Sequence, residues 1–310
     1  MKALRDVFGD TLSELAQHNS SIVVLDADLA NSTKADKFAQ AHPDRFLEMG
    51  IAEQNMVGTA VGMATLGFVP WLSSFTVFFT HRALDPVRML VAQTHANVKI
   101  GAAYSGLLTG YTGKTHQDVE DLAIMRAMPG MTVLAPADEF EGAAMIRWAT
   151  EYVGPVFLRL ARDPGPAVFG PDYRFELGAL HLLRDGSDLL IISTGTQSAR
   201  CLEAAQALEK EGISAAVLHV PTIKPLRSED LLQVCKKFDL VYTVEEHTKL
   251  GGLGGLVSEI LSEHSPRRVI RLGLQDQWGE SAPNDFLLDK YQLSGQRVAE
   301  QIASRRKQTL

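Results

Sequence analysis

Three stretches carry residue types able to do chemistry. In "FLEMGIAEQNMVGTAVGMATLG", residues 46–67, Glu53 follows a Gly-Ile-Ala turn and opens a run holding Gly58, Ala60, Gly62 and Ala64. An acidic residue in a first helical turn is favoured by the helix dipole, and that alone explains many such glutamates. Small residues at this density weaken a helix, however, so they mark the close approach of another backbone. A glutamate at the mouth of such a helix is partly withdrawn from water. In "SSFTVFFTHRALDPVR", residues 73–88, Phe75, Phe78 and Phe79 fit a core at helical spacing. The functional alternative has Phe78 presenting its ring face to a flat heteroaromatic group. In "YSGLLTGYTGKTHQDVED", residues 104–121, Gly106, Gly110 and Gly113 form a turned loop before Thr115 and His116. With a helix predicted from 117, His116 would sit beside backbone N–H groups that can meet an anion or a reacting oxygen. A capping or loop histidine is the plainer reading.

Strands predicted at 21–28, 98–104, 131–137 and 155–161 alternate with helices predicted at 2–18, 53–65, 78–94, 117–127 and 138–152. That alternation places the three stretches around a parallel sheet in an α/β fold. Prolines and glycines crowd residues 163–178 and break any regular element, and a second α/β run follows. Within it "STGTQS" lacks the glycine spacing of a nucleotide fingerprint, and "KLGGLGGLVSEI" reads as a packing turn.

The bulk numbers narrow the function classes. A chain of 310 residues suits about two domains, and 45% hydrophobic with 22% charged residues is a folded profile. A net charge of −7 argues against general nucleic-acid binding, because no excess of lysine and arginine exists to displace counterions. No apolar run reaches the ~18 residues of a membrane span, and the first residues lack a signal-peptide core. Two cysteines, Cys201 and Cys235, are too few for a disulfide framework or metal cluster. A reduced, cytoplasmic chain is expected.

Taken together, the sequence resembles the C-terminal half of a transketolase. The matching pieces are "DADLANSTK", "FLEMGIAEQNMVGTAVGMATLGFVP", "SSFTVFFTHRALDPVR", "GKTHQDVEDLAIMRAMPGMTVLAPADEFE", "PVFLRLARDPGP", "ISTGTQSARCLEAAQALEKEGI" and "VYTVEEHTKLGGLGG". They run in the family's order over nearly the whole chain. The resemblance implies a thiamine diphosphate pyrimidine-binding domain with a parallel sheet at 1–170, a linker at 171–185 and a transketolase C-terminal-like α/β domain at 186–310. In that family the diphosphate and Mg²⁺ are held by a domain carrying Gly-Asp-Gly, which is missing here. One subunit of a split transketolase is therefore expected, with no metal ligands of its own. An N-terminal partner chain would supply that site, two copies of each assembling together.

Residue by residue, the resemblance implies that Glu53 hydrogen-bonds the pyrimidine ring and so favours the imino tautomer that deprotonates the thiazolium carbon. It implies that Phe78 stacks on the pyrimidine with Phe75 as a second wall, and that Asp28 lies near the cofactor and a subunit contact. Arg5, Ser32 and Arg162 match positions that grip a sugar phosphate, and His116 matches a histidine that contacts substrate oxygens. Two departures stand out. Tyr111 and Thr112 replace an acidic pair, and Tyr104 replaces a histidine twelve places before His116. Losing groups built to hydrogen-bond one hydroxyl weakens preference for it. A ketose phosphate altered near its third carbon, such as the branched sugar of apulose-phosphate transketolases, is expected. The rival readings are the β subunit of a 2-oxo acid dehydrogenase, whose loop usually carries "HSQ", the single-chain deoxyxylulose phosphate synthase, and a partner subunit without catalysis.

Overall fold

The computed structural model describes residues 1–307. Its strands, in chain order, are β1 (Ile22–Asp26), β2 (Phe46–Glu48), β3 (Val69–Phe75), β4 (Lys99–Ala103), β5 (Thr132–Leu134) and β6 (Val156–Leu160). A second group follows with β7 (His181–Arg184), β8 (Leu189–Ser193), β9 (Ala215–His219), β10 (Thr222–Lys224), β11 (Leu240–Thr248) and β12 (Arg268–Leu274). The first sheet runs β10-β5-β6-β4-β3-β1-β2, parallel except where β10 joins β5. The second runs β12-β11-β8-β9-β7, parallel except for β7 on β9. Strands β1, β4, β6, β8 and β9 are buried along their whole lengths, as strands covered on both faces must be.

The two sheets share more than a linker. β10 lies beyond β9 in the chain yet pairs with β5, so the second half of the sequence supplies an edge strand to the first sheet. β7 lies within 171–185, the stretch whose composition suggests a linker, and pairs with β9. A buried chain of hydrogen bonds spans the junction: Ser198 Oγ lies 2.7 Å from His219 Nδ1, and His219 Nε2 lies 2.8 Å from Glu141 Oε2. The order resembles a nucleophilic triad, but all three residues are wholly buried, so no substrate reaches them and they brace the fold.

Register sets where chemistry can gather. Asp26 pairs with Ser73, Phe75 with Ala103, and Ala103 with Leu160, so the carboxyl ends of β1, β3, β4 and β6 lie side by side. The loops leaving those ends meet in one crevice, the usual ligand position of an open parallel sheet.

Two helices differ from expectation. The segment predicted as one helix over 78–94 is a π-helical turn at Phe78–Arg82, a short α turn at Leu84–Pro86 and a second π-helical stretch at Val87–Ala92. Pro86 has no N–H to give the carbonyl four places back, so a regular ladder cannot pass through it. The helix predicted from 117 begins instead at Asp121. Residues before it are held extended: Gly106 N–H donates to the Asp118 carbonyl at 2.9 Å, and Thr248 N–H to the Val119 carbonyl at 2.7 Å. His116 therefore sits in a turn, not at a helix start.

Candidate active site

The helix Glu53–Thr65 begins with Glu53 itself, and no side chain caps it. Glu53 does more than start a helix, because its carboxylate is wholly buried and faces the strand ends. Arg82 Nη1 bridges it at 2.8 Å to Oε1 and 2.7 Å to Oε2, and Ser74 Oγ donates to Oε1 at 3.4 Å. The Arg82 guanidinium also lies 4.3 Å over the Phe78 ring.

From Phe78 a ladder of rings leads across the crevice. Phe78 stacks on Phe75 with centroids 5.9 Å apart and planes 14° apart, and Phe75 stacks on Tyr104 at 3.9 Å and 18°. His116 meets Phe75 and Phe78 edge-on at 5.8 Å each. Its Nδ1 lies 2.9 Å from the Thr115 hydroxyl. Phe79 points the other way and is core, joining the main apolar cluster.

Two arginines close the far end. Arg5 Nη1 donates to the Tyr104 hydroxyl at 2.7 Å and to the Ser32 carbonyl at 3.0 Å. The guanidiniums of Arg5 and Arg162 lie 5.4 and 5.5 Å from the Tyr104 ring centre. Each arginine keeps a buried Nε with no partner among the described residues. Tyr104 itself has φ +57° and is almost fully buried, a conformation that surrounding structure must enforce on a non-glycine residue.

The other expected residues fall outside this cluster. Ser32 touches Arg5 through its carbonyl, while its hydroxyl donates to Asn31 Oδ1 at 3.2 Å. Asp28 is exposed in a left-handed turn, and its N–H donates to Glu48 Oε1 at 2.9 Å. Leu29, next in the chain, packs against the Phe75 and Tyr104 group. Thr112 donates its hydroxyl to the Thr109 carbonyl at 3.2 Å, and Tyr111 is 68% exposed with its carbonyl accepting from Ser281. Of the three substituted positions, Tyr104 alone enters the ring ladder.

Sequence reading passed over Arg82 and Asp26. Nothing local marks Arg82, which reaches Glu53 across 29 positions. Asp26 ends β1 wholly buried, accepting from Leu29 N–H at 2.7 Å. Burial pushes its carboxyl up to about 6, against the pull of hydrogen bonds from Ser73, Leu29 and Thr33. Its placement at a strand end within "DAD" was the available signal. Among the described residues no group of three or more ligating side chains could hold a metal.

A parallel sheet with a buried carboxylate, stacked rings and two arginines at its carboxyl edge, tied to a second α/β sheet, defines a two-domain α/β chain. Residues 1–166 match the family model for the transketolase pyrimidine binding domain, and residues 178–298 match that for the transketolase C-terminal domain. The chain belongs to the transketolase family. It is 41% identical over 304 residues to a putative transketolase C-terminal section of Methanocaldococcus jannaschii, covering 97% of this chain and 95% of that one. A 6-deoxy-6-sulfo-D-fructose transketolase subunit of Clostridium sp. (strain MSTE9) is 38% identical, covering 98% and 95%. An apulose-4-phosphate transketolase subunit from Phocaeicola vulgatus is 36% identical, covering 89% of each. Among solved structures, a split-gene transketolase described as an inactive β4 tetramer superposes with a TM-score of 0.91 at 44% identity over 98% of both chains.

Proposed function

We propose that this chain is the pyrimidine-binding subunit of a two-chain transketolase that moves a two-carbon ketol unit from a ketose phosphate to an aldose phosphate. The observation that carries the reading is the ring ladder, which joins a buried carboxylate to a pair of arginines in one crevice. Thiamine diphosphate, when bound, supplies the electron sink for breaking and making the bond beside the ketose carbonyl. The residues present fit it. Glu53 is a buried acceptor whose main partner, Arg82, reaches in from solvent, and the Phe78 face already carries a planar N–C–N group.

The chain's own side chains then divide the work. Glu53 holds a hydrogen bond to the pyrimidine ring, Phe78 and Phe75 fix its plane, and the burial of Glu53 and Phe75 keeps water away. His116, edge-on to both rings, offers a nitrogen to substrate oxygens. Arg5 and Arg162 take the anionic end of the sugar, with the Ser32 segment fixing Arg5. Diphosphate and Mg²⁺ belong to an N-terminal partner chain. Asp28, exposed beside the crevice, and the open faces of Gly58 and Gly62 are where that partner and a second copy of this chain would sit, two of each. Both cysteines are buried free thiols, in keeping with the cytoplasm.

Tyr104 points the substrate away from ordinary pentose and hexose phosphates, since a phenol tied to Arg5 stands where a histidine reads a hydroxyl. Two of the relatives are named for altered sugars, apulose 4-phosphate and a 6-deoxy-6-sulfofructose whose change lies at its sixth carbon and not near its third. We infer a ketose phosphate modified near its third carbon. The test is co-expression with an N-terminal transketolase chain carrying Gly-Asp-Gly, addition of thiamine diphosphate and Mg²⁺, and a panel of ketose phosphates. Ketol transfer by the pair but by neither chain alone is expected, fastest on a modified ketose. Xylulose 5-phosphate turned over as fast as every modified ketose would overturn the substrate assignment, and a cofactor-loaded pair inert on every sugar would overturn the activity.

A further inference from the structure

Arg82 makes both contacts that a flat, nitrogen-rich ring would need. Its Nη1 donates to the Glu53 carboxylate at 2.8 and 2.7 Å, and its guanidinium carbon lies 4.3 Å from the centre of the Phe78 ring. A guanidinium is a planar N–C–N unit with N–H donors along its edge. An aminopyrimidine shares the flat N–C–N shape, and its ring nitrogen donates to a carboxylate in the same way once it carries a proton. We infer that Arg82 is an intramolecular stand-in for the cofactor ring, a latch that fills the Glu53–Phe78 site in the free chain and must withdraw for thiamine diphosphate to enter. The inference rests on the cofactor reading above and adds a competing occupant to it.

The local sequence builds this latch. The π-helical turn Phe78–Arg82 carries ring and guanidinium four places apart, so the arginine folds back over the phenylalanine. Pro86 cannot donate to the Arg82 carbonyl, and Gln54 Nε2 does so instead at 2.9 Å. Gln54 follows Glu53 in the chain. One side-chain bond therefore ties the backbone of the arginine to the helix that carries its carboxylate.

Exposure shows which partner can move. The Glu53 side chain is 1% exposed and the Arg82 side chain 41% exposed, so the arginine reaches in from solvent over a fixed carboxylate. Without it, the one remaining side-chain partner of Glu53 among the described residues is the Ser74 hydroxyl at 3.4 Å. A buried carboxylate so poorly served is costly, which is why the free chain keeps a cation there. Cofactor entry then exchanges one planar donor for another, and the fraction of chains with the latch open scales the apparent affinity.

Two measurements test this, both independent of turnover. In the reconstituted pair, equilibrium dialysis of thiamine diphosphate with Mg²⁺ should give a Kd about 10-fold tighter for Arg82→Gln than for wild type. Arg82→Lys, which keeps the charge without the planar face, should fall between them. In the free chain, Arg82→Gln should lower Tm by about 3 °C, a shift lost in the Glu53→Gln background if the two side chains act as a pair. A wild-type pair that binds thiamine diphosphate while Arg82→Gln binds it equally or more weakly overturns the latch and leaves the cofactor reading standing. Independent Tm shifts for the two substitutions also overturn the latch. A wild-type pair that binds no thiamine diphosphate overturns both.

Discussion

In the proposed reading Arg162 and Tyr104 contact the substrate, and each can be changed without touching the carboxylate end. Arg162 has a buried Nε that no described residue uses, and in the proposed reading Arg162→Ala removes a donor for the sugar's anionic end. A charge-assisted hydrogen bond contributes about 1.5–3 kcal/mol, so KM for a ketose phosphate should rise roughly 10- to 100-fold with kcat within a few fold. The same substitution should leave KM for an unphosphorylated ketose unchanged; equal losses on both would show that Arg162 shapes the fold and not the phosphate site. Tyr104→His is tolerated by the backbone, because histidine is enriched at positive φ, here +57°. It should move the ratio of kcat/KM toward xylulose 5-phosphate by about 10-fold or more, the range for gaining a matched hydroxyl contact. An unchanged ratio would remove Tyr104 from specificity. At this scale the family resemblance pointed to Glu53, Phe78 and the two arginines, and the fold links them through Arg82, Phe75 and Tyr104. The sequence was silent on Arg82 because the Glu53 pair joins two elements 29 positions apart, and local spacing holds no record of it.

The helix Glu53–Thr65 and the strand alternation could be read from apolar period, and both are where the pattern puts them. The π-helical turns could not, since Phe75, Phe78 and Phe79 fit an ordinary helix and only the missing N–H of Pro86 hints at a break. His116 was misplaced for a related reason: residues 117–120 carry acidic helix-start chemistry, but their backbone is claimed by Gly106 and Thr248. The glycines of the Glu53 helix make a sharper case. A Cβ at Gly58 or Gly62 would meet nothing within 4 Å, so their smallness serves no contact inside this chain. Replacing a mid-helix glycine stabilises an isolated helix by up to about 1 kcal/mol. Gly62→Leu should therefore leave the free chain as stable as before or slightly more so in urea, while preventing co-purification with the partner or a second copy of this chain. Normal assembly of the variant would show that this face is simply solvated.

The two sheets meet over a buried charged cluster whose protonation couples the whole molecule to pH. Arg159 Nε donates to Asp121 Oδ2 at 2.7 Å and its Nη2 to the Glu246 carbonyl at 2.9 Å, so one guanidinium from the first sheet ties both domains. Beside it, Asp118 accepts from the Thr80 hydroxyl and from Glu120 N–H. Burial first, then the neighbouring Asp121, pushes its carboxyl up to about 7. Burial also pushes Glu245 up to about 7, although it accepts the N–H groups of Leu253 and Gly254. It pushes His247 down to about 4, consistent with a neutral ring whose Nε2 accepts the Ala123 N–H at 3.3 Å. The signs follow from counting protons within the cluster. Between the ordinary glutamate value of 4.5 and the ordinary histidine value of 6.5, the unfolded chain holds one proton there, on His247. The folded cluster holds at least two in that window, on Asp118 and Glu245, with burial raising the Glu246 carboxyl as well, so folding takes up at least one proton and stability falls as pH rises. From 6.5 to about 7 the uptake is at least two protons, and beyond the raised carboxyl values it fades. Each proton corresponds to a slope of about 1.4 kcal/mol per pH unit. Asp118→Asn keeps an oxygen for Glu120 N–H and removes one raised carboxyl. Urea unfolding of the full chain should then decline less steeply than wild type between pH 4.5 and 6.5, by one proton's slope. Asp26, raised to about 6 at the other end of the sheet, adds the same decline to both proteins and leaves that difference intact. A variant that declines as steeply as wild type would mean that Asp118 is ionised in the folded chain, with Arg159 outweighing its burial.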